Sequence, residues 1–288
     1  MDLNLYYGKD YKSIPMTSIK RSHGKELTPD VYVYTVQFVN LYLIGDIVSD
    51  DFVIVDAGTP NKADDIISAV EERFGRNSTP KAIILTHGHF DHVGSVIELV
   101  HHWNIPVYAH KMELPYLTGK KSYAKGDSTV EGGLIAKMSG AFPIEPINLG
   151  SHIHPLPEDG TVPYLSDFKW IHVPGHTEGQ IALFRDKDRL LIAADAFVTT
   201  KQDSLYHVVT QKKELSGPPR YLTPDWTAAK ESVRKLASLN PYIAITGHGP
   251  SMEGSELKKD LNKLADNFDE AAVPNYGKFV DDSSESQI

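Results

Sequence analysis

Thr86-His87-Gly88-His89-Phe90-Asp91-His92-Val93-Gly94 packs three histidines and one aspartate into six positions, directly after the apolar run AIIL at 82–85. That run has the length and composition of a buried strand, and residues 93–103 read as the helix that follows. With 13 histidines and 23 aspartates in 288 residues, the spacing H-x-H-x-D-H would arise by accident roughly 0.002 times per chain. The convergence therefore needs a chemical reason. His87 and His89 are two apart, so continued strand geometry points both to one side, while Asp91 and His92 open the helix and swing toward a second position. One short loop thus serves two adjacent metals. The chain has no cysteine, which removes thiolate sites, disulfides and cysteine nucleophiles, and leaves imidazole nitrogen and carboxylate oxygen as the donors zinc accepts.

Outward from this loop the chain alternates strand and helix. Residues 32–44 and 52–55 are rich in β-branched and aromatic side chains and read as neighbouring strands, and 63–74 is an amphipathic helix with acids in its first turn. A strand at 107–108 continues the rhythm, which argues for α/β layers. Strands resume at 168–173, 180–184 and 190–194. A helix at 224–239, with Thr223 as its N-cap and Pro224 at its first position, leads to a strand at 242–246 and a last helix at 255–271. No composition shift marks a boundary, so the expectation is a single domain over 1–288 with a frayed tail at 277–288.

Two coordination spheres need more ligands than one loop supplies, and these stand at equivalent places. The strand at 168–173 ends in Pro174-Gly175-His176, that at 190–194 in Asp195, and that at 242–246 in Gly247-His248-Gly249-Pro250. Sites in open α/β sheets form at the carboxyl ends of strands, so four strands each ending in a candidate ligand describe one cleft.

Together THGHFDH, PGHTEG, the AADA around Asp195 and GHGP resemble the motifs of the metallo-β-lactamase-fold hydrolase superfamily, over about residues 31–250. Within it the chain looks most like bacterial metallo-hydrolases of unsettled substrate. The resemblance implies an αββα sandwich of two mixed β-sheets flanked by helices, with two zinc ions per chain in a cleft at the sheet edges, iron or manganese being the alternatives. Carried over by motif, it implies His87, His89 and His176 around the first ion and Asp91, His92 and His248 around the second. Asp195 would bridge them. It also implies that Asp56, in the turn Asp56-Ala57-Gly58-Thr59, supports the ligands from behind, a simple Asx-turn being the plain alternative.

Two metals roughly 3.5 to 4 Å apart can share a water whose pKa falls to near 7, so the expected chemistry is hydrolysis by metal-bound hydroxide. Asp91 would orient the nucleophile or shuttle its proton. The sequence departs from several branches of the superfamily. True β-lactamases of this fold generally lack an aspartate at the Asp195 position, glyoxalase II-like thioesterases continue into a helical domain, and diiron flavoproteins place Glu at the position of His89. What remains is a hydrolase of a small-molecule ester, lactone or thioester, with an acyl-homoserine lactonase as its sharpest form. The alternatives are a phosphodiesterase or nuclease of this fold, a mononuclear iron sulfur dioxygenase, and an inactive binding protein.

A formal charge of −9, from 29 Lys plus Arg against 38 Asp plus Glu, disfavours a nucleic-acid partner. The first residues lack a basic start and no stretch reaches the roughly 18 to 20 apolar residues of a membrane span, so the expectation is a cytoplasmic protein without membrane contact. Residues 111–164 break the α/β rhythm, carry one expected helix near 133–138, and read as an insertion or lid. Leu114, Tyr116, Leu117, Met138 and Phe142 are too numerous for a solvated loop, so Leu117 and Phe142 are expected to contact substrate, or else to form a homodimer contact. Arg220 and Tyr221, after the turn at 216–219, are further candidates for substrate contact. His23, His101, His102, His110, His152, His154, His172 and His207 are read as structural or surface residues.

Overall fold

Alternation along a strand decides which layer each side chain enters, because successive residues point to opposite faces. In a computed structural model, residues 5–12, 22–48, 51–202 and 212–280 are described. They form two sheets. The first runs in the order β1 (His23–Thr28), β2 (Val31–Val36), β3 (Val39–Gly45), β4 (Phe52–Val55), β5 (Ile83–Ile84), β6 (Val107–Ala109) and β7 (Ile153–Pro155). It is antiparallel from β1 to β4 and parallel from β4 to β7. The second runs β13 (Met252–Glu253), β12 (Ile243–Ile245), β11 (Leu190–Ile192), β10 (Ile181–Arg185), β9 (Leu165–His172) and β8 (Thr161–Val162), parallel only between β11 and β12.

Tyr42, Ile44, Val53 and Val55 of the first sheet meet Ile181, Leu183, Leu190, Ile192 and Ile245 of the second in a layer between the sheets. Their alternates face outward. Leu41, Leu43, Phe52 and Ile54 pack under α1 (Ala63–Phe74) and α3 (Val96–Trp103), which follows the single turn α2 (Phe90–Val93). Ala182, Leu191 and Ala244 pack under α6 (Trp226–Ser238), α7 (Gly254–Asp266) and α8 (Phe268–Ala271). The result is the αββα sandwich of two mixed sheets that the resemblance of the motifs implied. Each Leu, Ile, Val or Phe side chain so buried contributes about 1.5–3 kcal/mol. Among the described residues no helix is long and apolar enough to cross a membrane.

Directions place the site. Strand β9 is antiparallel to β10, and β10 to β11, so β9, β11 and β12 all run the same way and deliver their following residues to one edge. Strands β4 and β5 are parallel and bring residues 56 and 86 to the matching edge of the first sheet.

Three local expectations differ from the structure. The helix expected over 93–103 is interrupted at Gly94 and Ser95, because Gly94 N–H donates to Gly58 O (2.8 Å) and the Ser95 hydroxyl donates to Thr59 O (2.7 Å). Those bonds hold the turn after β4 against the ligand loop. The helix expected from 224 begins at Trp226, and its N-cap is Asp225, whose carboxylate accepts the Ala228 N–H (2.8 Å). Thr223 instead donates to Pro219 O (2.8 Å) and faces His176. The stretch 111–164 begins with α4 (Leu114–Leu117) and α5 (Leu134–Met138), yet from Ile153 it enters the sheets, β7 pairing with β6 and β8 with β9. Of the tail at 277–288, residues 281–288 lie outside the described residues, whereas Lys278 N–H donates to the buried Asp127 carboxylate. His207 also lies outside the described residues.

Candidate metal centre

The turn after β5 carries the first group of candidate ligands, and its geometry is fixed by Asp56 in the turn after β4. Asp56 adopts φ 63°, a left-handed conformation that Asp tolerates better than most residues. Its Oδ1 accepts the Thr86 N–H (2.7 Å), Thr86 Oγ1 donates to Oδ2 (2.8 Å), and Oδ2 lies 2.8 Å from His92 Nδ1. A carboxylate can only accept, so His92 donates from Nδ1 and turns the Nε2 lone pair into the cluster.

Three buried triads share this space, each with ligand atoms within 4.8 Å of one another: His87, His89 and His176; His87, His92 and Asp195; Asp91, His92 and His248. His89 Nδ1 is 2.9 Å from His176 Nε2. Asp195 stands between the other two groups, with Oδ2 3.5 Å from His176 Nε2 and 3.2 Å from His248 Nε2, and Oδ1 3.7 Å from His92 Nε2. Asp91 Oδ2 is 3.5 Å from His248 Nε2. All seven residues named from the motifs thus converge in one buried cluster, the most exposed being Asp91 at 7%. Ala194, at φ 49°, turns the chain sharply after β11, and Gly247 N–H fixes that turn by donating to Ala194 O (2.9 Å).

Burial and the neighbouring imidazoles hold His87 and His89 well below the ordinary imidazole range, and burial brings His176 down to about 4. These three are therefore neutral nitrogen donors. His92 and His248 are shifted up: burial opposes, but Asp56, Asp195 and Asp91 around His92, and Asp195 with Asp91 beside His248, outweigh it. Burial raises Asp91, whereas His248 and His92 overcome the same penalty at Asp195 and hold it well below the carboxylate range. His87 Nε2, His92 Nε2 and Asp195 Oδ1 are buried and make no hydrogen bond among the described residues. A buried polar atom left unpaired costs about 1–3 kcal/mol. Three such atoms facing one pocket, with nitrogen and carboxylate donors and no thiolate, fit divalent cations.

The remaining candidates are not members of the cluster, although Leu117 packs against the ligand loop, its Cδ2 3.2 Å from where a Cβ on Gly88 would stand. Leu117 is fully buried and Phe142 and Tyr221 nearly so, all in the core under α1 and α3; Phe142 sits 5.3 Å from the ring of Phe90 and 5.8 Å from that of Tyr221. Arg220 Nε donates to Ala272 O (3.1 Å), and its guanidinium lies 3.7 Å from Glu131. His110 and His172, which look isolated along the chain, stack at 4.3 Å.

Two supports of the cluster carry no motif of their own. Asn40, at the start of β3, donates from Nδ2 to Thr246 O (2.9 Å) and Gly249 O (2.8 Å), while its backbone N–H donates to Gly247 O (2.7 Å). Together with the 3.0 Å contact between His248 Nδ1 and Phe38 O, this fixes the loop that carries His248. Glu113, just before α4, is the second. The sequence hint to both is indirect: a buried polar residue cannot be told from a surface one without knowing which strands meet.

Residues 34–248 match the family model of the metallo-beta-lactamase superfamily. The probable metallo-hydrolase YflN of Bacillus subtilis (strain 168) is 46% identical over 254 residues, covering 88% of this chain and 96% of that one. Among solved structures, TTHA1623 in a di-iron-bound form is similar with a TM-score of 0.50 at 27% identity, over 80% of this chain and 94% of that one. The BLEG-1 B3 metallo-beta-lactamase is similar in fold, with a TM-score of 0.53 at 24% identity, over 79% of this chain and 91% of that one.

Proposed function

This chain belongs to the metallo-beta-lactamase superfamily and is a metal-dependent hydrolase of that family, and from that premise we propose that a binuclear centre acts on a small-molecule ester, lactone or thioester. The observation that carries this reading is the position of Asp195 between two triads whose inward atoms, His87 Nε2 and His92 Nε2, are buried and make no hydrogen bond among the described residues. His87, His89 and His176 would hold one ion and Asp91, His92 and His248 the other, with Asp195 shared. When bound, a pair of divalent ions supplies an acidified water as nucleophile and polarises the scissile carbonyl.

The protein's own residues do the rest. Asp56 keeps the His92 lone pair directed inward, and Asn40 keeps the His248 loop in place. Asp91, the most exposed member and one whose carboxyl burial raises, is the group suited to take a proton and return it to the leaving group. The donor set suits zinc; the di-iron form of TTHA1623 makes iron the specific alternative. A net charge of −9 supports a small-molecule substrate over a polyanion.

The test is elemental analysis of purified protein with an ester, lactone, thioester and phosphodiester panel. About two ions per chain and turnover of a carboxylic ester, lactone or thioester are expected. One iron without hydrolysis would point to a dioxygenase, phosphodiester turnover alone to a nuclease, and a metal-free inactive chain to a binding protein.

A further inference from the structure

Glu113 is fully buried, beyond the ring of seven, and reaches the two loops that carry His87, His89 and His176. Its Oε2 accepts the Gly88 N–H (3.0 Å) and the Tyr123 hydroxyl. Its Oε1 accepts the Thr177 hydroxyl (2.6 Å) and the Gly179 N–H (2.9 Å). Both oxygens are therefore fully used, each by one backbone amide and one hydroxyl. Gly88 lies between His87 and His89, and Thr177 directly follows His176. One side chain ties together two loops that are 87 residues apart at the His89–His176 contact.

The same side chain explains two glycines. A Cβ on Gly179 would come 2.8 Å from Glu113 Cγ and 2.9 Å from its Oε1, and one on Gly88 would meet the Tyr123 hydroxyl and come 3.3 Å from Glu113 Oε2. A side chain at Gly179 would collide with Glu113, and one at Gly88 would displace the Tyr123 hydroxyl that Glu113 holds. Tyr123 adds a lateral wall: its ring lies 4.6 Å from that of His89 and stacks at 4.0 Å on Tyr116. Among the described residues, Asp91, His92 and His248 themselves receive no bond from this network; Asp56 holds the His92 ring, and Asn40 holds the loop of His248.

We propose that Glu113 is a positioning residue that sets the separation of the His87–His89 and His176 loops, and with it the metal affinity of the three-histidine half of the centre. The inference rests on the reading of the cluster as a metal centre. Glu113→Gln keeps the size of the side chain but turns one oxygen into an NH2 that can donate to the neighbouring hydroxyl and cannot accept the backbone amide beside it, so one backbone bond of the clamp is lost whichever way the amide points.

Affinity for Co2+ is measured on metal-stripped full-length protein against a competing chelator. His248→Ala leaves the three-histidine triad intact, and His89→Ala leaves the Asp91/His92/His248 triad intact. Adding Glu113→Gln to the first is expected to weaken Co2+ binding by about 10–100-fold, and adding it to the second to change binding by less than about threefold. Equal losses in both backgrounds, or none in the first, overturn the proposal while leaving the metal centre standing. A wild-type chain that takes up no Co2+ overturns the centre and the proposal together. If Glu113→Gln does not fold, Thr177→Val, which removes one of the four bonds, is read in the same two backgrounds. A several-fold loss confined to the His248→Ala background is then expected, and its absence overturns the proposal.

Discussion

Asp56 works through a tautomer. Its Oδ1 is committed to the Thr86 N–H, so an asparagine there would keep its carbonyl oxygen on that amide and present its NH2 to His92 Nδ1. Two donors would then face each other. The imidazole escapes by moving its proton to Nε2, which removes the lone pair aimed at Asp195 and His87. Asp56→Asn is therefore expected to fold but to bind metal about 10–100-fold more weakly, with the loss centred on the His92 side. Metal retained after dialysis at fixed free metal checks this; unchanged retention would show that His92 does not depend on Asp56. The motif made His92 a candidate ligand, but the bond from Asp56, 36 positions earlier, becomes visible only when β4 and β5 lie side by side.

At the scale of elements, the end of β10 carries Arg185, the largest fully buried side chain among the described residues. Its guanidinium is held by Asp30 in the turn before β2 (2.5 Å) and Asp188 in the turn before β11 (2.6 Å), and it covers the ring of Phe168, 4.9 Å from the centroid. One residue thus joins the two sheets. Burial pushes the Asp30 carboxyl up, but the hydrogen bonds from Arg185 and Thr28 outweigh it and hold it below the usual range. A depressed carboxylate stabilises fully above its unfolded value, near 4, and loses that contribution as pH falls through the folded value. Arg185→Met should cost about 1–2 kcal/mol at pH 7, allowing for the partly exposed carboxylates, and the gap to wild type should shrink below about pH 4. Urea unfolding at both pH values measures it; a gap independent of pH would mean that packing on Phe168, not the ion pair, is what is lost. The strands the sequence did not announce share a cause. Strand β1 is largely exposed and polar, and β8 and β13 are two residues long, so neither alternation nor an apolar run marks them.

For the whole molecule, the centre links metal and stability. Without an ion, His87 Nε2, His92 Nε2 and Asp195 Oδ1 make no hydrogen bond among the described residues, and His92 and His248 favour protons that a metal must displace. An ion at 100 times its dissociation constant stabilises by about 2.7 kcal/mol, which for a chain of this size is roughly 4–5 °C in Tm. Chelation should lower the melting temperature by that amount per ion, and restored metal should recover it; an unchanged melting curve would mean that the fold does not depend on an occupied centre. The sequence by itself determined the α/β layers and a cleft of candidate ligands at strand ends, because periodicity and a ligand after each strand are local patterns that survive in one dimension; the sandwich and the grouping of the seven residues came from the resemblance of the motifs. It could not determine the work of Glu113, Asn40 and Arg185, or that Leu117, Phe142 and Tyr221 sit inside a core. Those depend on which distant segments become neighbours, and burial gives a polar side chain its energetic weight only once the surrounding chain has excluded water.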